Sequence, residues 1–172
     1  DGMPGSHFET TFSVSLSRAD LLSLAIYASE YITGAAHPVG GIETHTFDLL
    51  TGDALSLADL FRPRTAYLAL LSAESRSRLR TFLDDPALDD LIDEGTAPVA
   101  ANFAAWMLTT PGLRITFQPY QVAPYAVGMP AITIPWARLR PLLDLGGPIA
   151  RLVPAGPCLA TQLRATSSAW DG

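Results

Sequence analysis

The segment from Tyr31 to Asp53, YITGAAHPVGGIETHTFDLLTGD, constrains the fold of this 172-residue chain more than any other stretch. One alternating run ends at Tyr31, a Gly-rich turn carries a histidine, and a second alternating run, Ile42–Leu50, stops at a Thr-Gly-Asp turn. Two β-like runs joined by glycines are typical of a hairpin. Because side chains alternate along a strand, Phe47 and Leu49 share one face of the return run, which we expect to be its apolar face.

Other alternating runs predict an antiparallel sheet around this hairpin. Leu21–Tyr31 has the Leu and Ala content of a helix, but its period-two alternation before the turn favours a strand that pairs with Ile42–Leu50. Phe8–Leu16 alternates as a half-buried strand. The remaining strands are predicted over Asn102–Leu108, Leu113–Phe117 and Ala131–Ile134, with Arg151–Val153 as a further candidate.

Helical signals occupy the middle and the end of the chain. Ser56 and Asp59 have the spacing of a capping box for a short helix. A long helix is predicted over Thr65–Leu83, with Leu68, Leu71, Leu79 and Phe82 in its buried stripe and Arg76 and Arg80 on an exposed face. Asp85 and Pro86 mark the cap and first residue of another helix, which Gly95 ends, and Pro135–Leu143 is predicted as the last helix.

These elements predict an α+β domain with an antiparallel-rich sheet and helices packed mainly on one face. The length fits one domain. We place that domain at residues 8–145, after a polar segment, residues 1–7, that is either disordered or vector-derived. Residues 146–172 are rich in Gly and Pro and predict an extended tail.

Composition excludes several classes of function. The net charge is −6, all positive charge is arginine, and no broad basic patch for nucleic acid is present. No apolar run approaches the ~20 residues of a membrane span. The chain does not begin with a signal peptide, although an exported mature protein would lack one too. The one cysteine, Cys158, allows neither an internal disulfide nor a Cys-based zinc site.

No catalytic or metal-binding motif is present in the sequence. His37 and His45, with Glu43 and Asp48 nearby, could bind zinc, but their spacing matches no zinc motif, and we predict no metal and no cofactor. Serines lack the Gly-x-Ser-x-Gly elbow of hydrolases. The acidic run around Asp89 is more typical of a solvated helix face than of paired catalytic carboxylates.

Aromatic residues in irregular segments give the best candidate site. The loop Gln118–Gly128, QPYQVAPYAVG, contains two prolines that exclude a central strand. Four residues, none explained by core periodicity, are predicted to cluster where this loop meets the hairpin and to form a binding site: Tyr31, His37, Tyr120 and Tyr125. The alternative is a structural role, in which the tyrosine hydroxyls bind loop backbone and His37 fastens the Gly-rich turn.

Two blocks of the chain resemble a bacterial extracytoplasmic domain family. They are YITGAAHPVGGIETHTFDLLTGDALSLADLF and GLRITFQPYQVAPYAVGMPAITIPWARLRPLL. Similar domains occur at the C-terminus of the RsiV-type lysozyme-sensing anti-sigma factor and in the PdaC-type peptidoglycan deacetylase of bacilli, and a secreted mycobacterial immunogenic protein shares the fold. The resemblance covers roughly residues 22–143. Ala35 stands where the family has a glycine, so the turn is expected to differ if it needs a positive φ there.

The resemblance implies a location outside the cytoplasm, a protein or cell-wall partner, and no established catalytic residue. We therefore expect a non-catalytic exported binding or sensor domain that recognises a lysozyme-like protein or a peptidoglycan-related glycan. One alternative is a cell-wall or ester hydrolase with an unrecognised site, and another is an intracellular domain with a small-molecule ligand. A deep cleft with perturbed titratable groups would favour an enzyme.

Overall fold

The computed structural model of the chain describes residues 5–153. Within them, three long strands form one antiparallel sheet in the order β1-β2-β3: β1 His7–Ser17, β2 Leu21–Tyr31 and β3 Val39–Asp48. Three short strands form a second antiparallel sheet in the order β4-β5-β6: β4 Trp106–Leu108, β5 Gly112–Thr116 and β6 Ala131–Pro135. The α-helices are α1 Tyr67–Leu83, α2 Asp89–Gly95 and α3 Trp136–Leu139. The predicted α+β class is confirmed.

Short 3₁₀ helices connect these elements. They span Leu57–Leu60, Pro86–Leu88, Ala100–Phe103, Tyr125–Val127 and Pro148–Arg151. The capping box predicted for Ser56 and Asp59 is present, and the Asp85 carboxylate accepts a hydrogen bond from Ala87 N. Residues 1–4 and 154–172 lie outside the described residues. The second of these ranges contains Cys158 and most of the predicted tail.

The hairpin of β2 and β3 is confirmed. Leu24 pairs with His45 and Glu30 with Val39, so β2 is a strand despite its Leu and Ala content. The return strand begins and ends earlier than the predicted Ile42–Leu50. It stops at Asp48 because the Asp48 carboxylate accepts a hydrogen bond from Leu50 N at 2.9 Å, which closes a turn.

The inner face of the first sheet mixes apolar residues such as Leu21 and Ile42 with buried hydroxyls, contrary to our prediction for the return strand. Ser23 and Thr46 are buried, and their hydroxyls lie 2.8 Å apart. Leu108 N donates to Ser23 Oγ at 3.0 Å, so β4 lies across this face. Leu49, expected on the apolar face, is exposed. Hydrogen bonds to β4 allow the hydroxyl-rich face to be buried.

The main core lies between the second sheet and the helices. Leu71 and Leu79 of α1 are fully buried in it, together with Ile92, Phe103 and Ile134. A smaller cluster between the two sheets contains Ala25, Ile42, Ala105 and Met107.

Helix α1 differs from its predicted stripe at both ends. Leu68 is only half-buried, and Phe82 is 64% exposed although it follows the helical period. Phe82 lies in the last turn, beside the edge strand β6, where it lines an open groove with Ile132 and Thr133. The prediction for Phe82 was wrong because the last turn of α1 faces this open groove and not the core.

Two arginines of α1 form ion pairs with the neighbouring helix α2. Arg80 donates to the carboxylates of Asp89 and Asp93 of α2, and Arg76 reaches the same Asp93. Arg80 is exposed as predicted, whereas Arg76 is only partly exposed because it also binds the end of α2. Our prediction that they would be largely exposed therefore holds only in part.

One carboxylate of α1 is buried with two guanidinium partners. Glu74 receives hydrogen bonds from Arg78 at 3.0 Å and from Arg138 of α3 at 2.6 Å. Burial alone raises the pKa of Glu74, but the hydrogen bonds from the two arginines outweigh that effect and hold it below its ordinary value.

Three other predicted elements need correction. Asn102–Leu108 is not one strand, because Ala100–Phe103 is a 3₁₀ helix and the strand begins at Trp106. The last helix is four residues long rather than Pro135–Leu143. The strand candidate Arg151–Val153 is wrong, since Arg151 ends a 3₁₀ helix and binds the Asp48 carboxylate.

The pair of Arg151 and Asp48 predicts acid sensitivity. The hydrogen bond from Arg151 holds the pKa of Asp48 below its ordinary 3.8, despite its burial. A lowered folded pKa stabilises the protein above the unfolded value, and this contribution is lost as the pH falls through the folded pKa. We expect urea unfolding between pH 7 and pH 3 to show a steeper loss of stability, concentrated below about pH 4, for the wild type than for Asp48→Asn. Equal pH profiles would contradict this linkage.

Candidate functional site

The turn between β2 and β3 places His37 next to the Gln118–Gly128 loop. Gly34 has a φ of +92°, and Ala35 N donates to Ile32 O at 2.9 Å. The left-handed residue is Gly34, whereas Ala35 is not among the residues with positive φ. Alanine at position 35 therefore imposes no left-handed strain on the turn.

Two tyrosine rings assemble around the ring of His37, and we call the three together the ring cluster: His37, Tyr120 and Tyr125. The rings of His37 and Tyr125 are stacked with centroids 4.1 Å apart, and the rings of Tyr120 and Tyr125 lie 5.6 Å apart. His37 Nδ1 lies 2.8 Å from Pro38 O, which can only accept, so Nδ1 carries the proton. Nε2 then accepts from the Tyr120 hydroxyl at 3.3 Å. Tyr125 donates to Pro38 O at 2.7 Å.

Tyr120 occupies a strained and exposed position within this loop. Its φ is +66°, a left-handed conformation that costs a non-glycine residue about 1–2 kcal/mol. Its side chain is 56% exposed. Strain of this kind persists only where the surroundings over-determine the backbone, and it is often found at functional sites.

Two glutamines supply that constraint on either side of Tyr120. The Gln118 side chain donates to Ile42 O at 2.7 Å and accepts from Ile42 N at 3.2 Å, which ties the loop to β3. The Gln121 side chain donates to the carbonyls of Gly95 and Asn102, both at 2.9 Å, and accepts from Gln118 N at the same distance. The loop is therefore fixed to both the first sheet and α2.

A cavity of about 370 Å³ adjoins the ring cluster. It lies between the inner face of the first sheet and the loop, so strand pairing brings residues from β1, β2 and β3 into its wall. Its polar groups are one carboxylate and four hydroxyls, and its apolar wall comes from the loop. The lining residues used below are Glu9, Thr11, Tyr27, Ser29, Tyr125 and Met129.

The structure brings together three of the four predicted site residues. Tyr31 does not join them, because its ring packs against His7 at 5.6 Å, at the end of β2. Sequence reasoning missed Glu9 and Thr11, which reach the cavity only through the β1–β2 register. It also missed Gln118 and Gln121. Their positions on either side of Pro119 and Tyr120 were visible in the sequence and could have indicated a role in fixing the loop.

The considered zinc ligands do not converge. His45 lies on the outer face beside Phe47, and Asp48 points to the inner face and binds Arg151. In residues 5–153, no three His, Cys, Asp or Glu side chains are grouped so that they could hold a metal ion. The carboxylates with shifted pKa, Asp48 and Glu74, do not line the cavity.

Comparison with known proteins identifies the family. Residues 58–137 match the model described as "Protein of unknown function (DUF3298)". Residues 58–137 are therefore similar to the DUF3298 family. This confirms the family resemblance found in the sequence.

A curated protein similar to this chain is the peptidoglycan-N-acetylmuramic acid deacetylase PdaC of Bacillus subtilis (strain 168). It is 32% identical over 122 residues, which are 70% of this chain and 26% of that protein. The chain thus spans about a quarter of the length of this relative.

Two solved structures share the fold. A DUF3298 family member from Bacteroides fragilis NCTC 9343 has a TM-score of 0.70 and 25% identity, over 86% of this chain and 57% of the other. A DUF3298 family protein from Pseudomonas aeruginosa PAO1 has a TM-score of 0.62 and 21% identity, over 87% of this chain and 65% of the other. No helix in the described part of this chain combines the length and apolarity of a membrane span.

Proposed function

We propose that this domain is a non-catalytic exported binding module that recognises a cell-wall glycan, or a lysozyme-like protein that acts on one, through the ring cluster and its cavity. The observation that carries this proposal is Tyr120. Its strained backbone is fixed on both sides by glutamines, yet the residue stays 56% exposed next to Tyr125, which lines the cavity. A ring held rigid and left open to solvent offers contact area at low entropic cost.

The chemistry of the cavity favours the glycan. Tyr27 and Tyr125 offer flat apolar faces with hydroxyl groups at their tips, and Glu9, Thr11 and Ser29 add hydrogen-bonding groups along one wall. A sugar ring presents apolar C–H faces and polar hydroxyl edges, which match this arrangement. Glu9 contributes a carboxylate, and no Lys or Arg within residues 5–153 lines the cavity, which together disfavour a polyanionic ligand.

The similarity to the deacetylase supports a cell-wall context. The name of that protein states an activity on peptidoglycan, and this chain aligns with a quarter of its length. Under the proposal, the domain works outside the cytoplasm and holds a partner at the wall.

Tyr120→Ala tests this function. We expect the variant to lose at least tenfold in affinity for purified insoluble peptidoglycan, measured by co-sedimentation, because the exposed ring supplies the contact. Its free energy of unfolding should change by about 0.5 kcal/mol or less, as for an ordinary surface residue. Lysozyme is tested in parallel, and binding to it alone would identify the protein as the partner.

The matched control is Phe82→Ala, which removes another exposed aromatic ring far along the chain on α1. It should bind peptidoglycan as the wild type does. If Tyr120→Ala instead lowers the melting temperature and leaves binding intact, the ring cluster is structural and the proposal fails. Release of soluble sugar, peptide or acetate by the wild type would favour the hydrolase alternative.

A further inference from the structure

The first sheet has an unpaired edge along β1. The strand order β1-β2-β3 leaves β1 with β2 as its neighbour on one side. Over its eleven residues, His7–Ser17, backbone N–H and C=O groups point outward in alternation, and no strand in the described part of the chain pairs with them. Such a row of groups is a template for another strand.

The side chains of β1 make this edge apolar on one face. Every residue from His7 to Val14 is exposed, so the prediction of a half-buried strand was wrong here. Phe8 is 66% exposed and Phe12 74%, and both share the outer face with Val14. The rings stand on the outer face of the sheet, whereas the second sheet covers only the inner face.

This edge carries little of the protection that natural edge strands use. Those strands use Lys, Pro, inward charges or bulges to prevent pairing. β1 has no Lys or Pro, Glu9 is its one acidic residue, and its bulge lies at the far end, between Val14 and Leu16.

We propose that β1 pairs antiparallel with β1 of a second copy of this chain, which joins the two first sheets into one six-stranded sheet. Pairing centred on Thr11 aligns the straight part of both strands, residues 8–14. It sets Phe8 opposite Val14 of the second copy and Phe12 opposite Thr10 of the second copy. The exposed apolar side chains of both copies then form one patch on the outer face.

The charges along β1 allow a second copy to be the occupant. The chain carries a net charge of −6, so two copies repel at most surfaces. In this register Glu9 faces Ser13 of the second copy, and no carboxylate faces another across the new ladder. The side chains of β1 can therefore face those of a second β1 across a twofold axis without placing two like charges opposite each other.

The area involved sets the strength of the dimer. A Phe ring buries about 150–250 Å², so the exposed parts of Phe8 and Phe12 contribute a few hundred Å² per copy. A standard stable interface buries about 800 Å² per partner. The ladder hydrogen bonds add to this area, and the dimer is therefore reversible and depends on concentration.

The pairing also joins the two candidate sites. Glu9 and Thr11 line the cavity from the inner face of β1, and Thr11 lies on the proposed axis. The two cavities then flank the axis on one face of the six-stranded sheet. If the proposed function holds, both can engage one linear polymer, and the linked sites bind it more tightly than one site does.

Sedimentation velocity from micromolar to millimolar concentration tests the pairing without any ligand. We expect a reversible dimer for the wild type and at least tenfold weaker association for Phe12→Lys, since lysine is a natural protector of edges. The matched control is Val39→Lys, which changes a 68% exposed residue of the same face on the opposite strand, β3. A wild type that stays monomeric, or equal dimerisation of both variants, overturns the proposal.

Disulfide trapping tests the register in a Cys158→Ser background. Facing residues in an antiparallel pair have Cα atoms about 4.5–5.5 Å apart, within disulfide range. Thr11→Cys should therefore form a covalent dimer under mild oxidation faster than Thr10→Cys, which faces Phe12 of the second copy. Equal rates overturn the register. Because neither experiment contains peptidoglycan, failure of the pairing is distinguishable from failure of the proposed binding function.

Discussion

Leu79→Ala is expected to cost about 2–5 kcal/mol of unfolding free energy, the range measured for truncation of buried leucines. Leu79 is fully buried in the fourth turn of α1 and belongs to the core between the helices and the second sheet. Truncation leaves a cavity that the surroundings, which include Leu71, Ile92 and Ile134, fill only in part.

Urea denaturation gives the measurement, and Phe82→Ala is the control within the same helix. Phe82 follows Leu79 by three residues but is 64% exposed, so its truncation should change stability by about 0.5 kcal/mol or less. A loss under half a kilocalorie for Leu79→Ala, or equal losses for both variants, would contradict the packing of α1.

Alternation in the sequence predicted the strands of the first sheet but not which face is buried. The inner face contains Ser23 and Thr46 beside Leu21 and Ile42, and the outer face carries Phe12 and Phe47. A hydrophobic pattern assigns the aromatic face to the core. The hydroxyls on this face can be buried because those of Ser23 and Thr46 form a hydrogen bond with each other. Ser23 Oγ also accepts a hydrogen bond from Leu108 N. Those partners are distant in sequence and leave no local signal.

The candidate site was predictable where it lies on irregular backbone. His37, Tyr120 and Tyr125 stood out because neither the Gly-rich turn nor the Pro-containing loop fits core periodicity. Tyr31 was placed with them by proximity in sequence, but it is the last residue of β2 and meets His7 of β1 instead. Contacts set by strand register, such as those of Glu9, require the fold itself.

Gly95 connects the helical layer to the candidate site. It is the last residue of α2, it is buried, and its carbonyl accepts from Gln121, the residue after Tyr120. A Cβ built on Gly95 would overlap the carbonyl oxygen of Gln121 and approach Val122 Cγ1 at 2.8 Å. Since one of these atoms belongs to backbone, a rotamer change cannot relieve the overlap, and the loop itself has to move.

Gly95→Ala is therefore expected to destabilise the protein and to impair the ring cluster together. Overpacking of this kind costs about 1–3 kcal/mol, measurable by urea denaturation. Displacement of Gln121 removes one of the two anchors that hold Tyr120 at positive φ, so affinity for insoluble peptidoglycan should fall by at least fivefold while the protein is still folded. Glu94→Ala, at the exposed neighbouring position, should leave both quantities unchanged. A Gly95→Ala variant that is destabilised yet binds like the wild type would show that the loop anchor does not position Tyr120 for its partner.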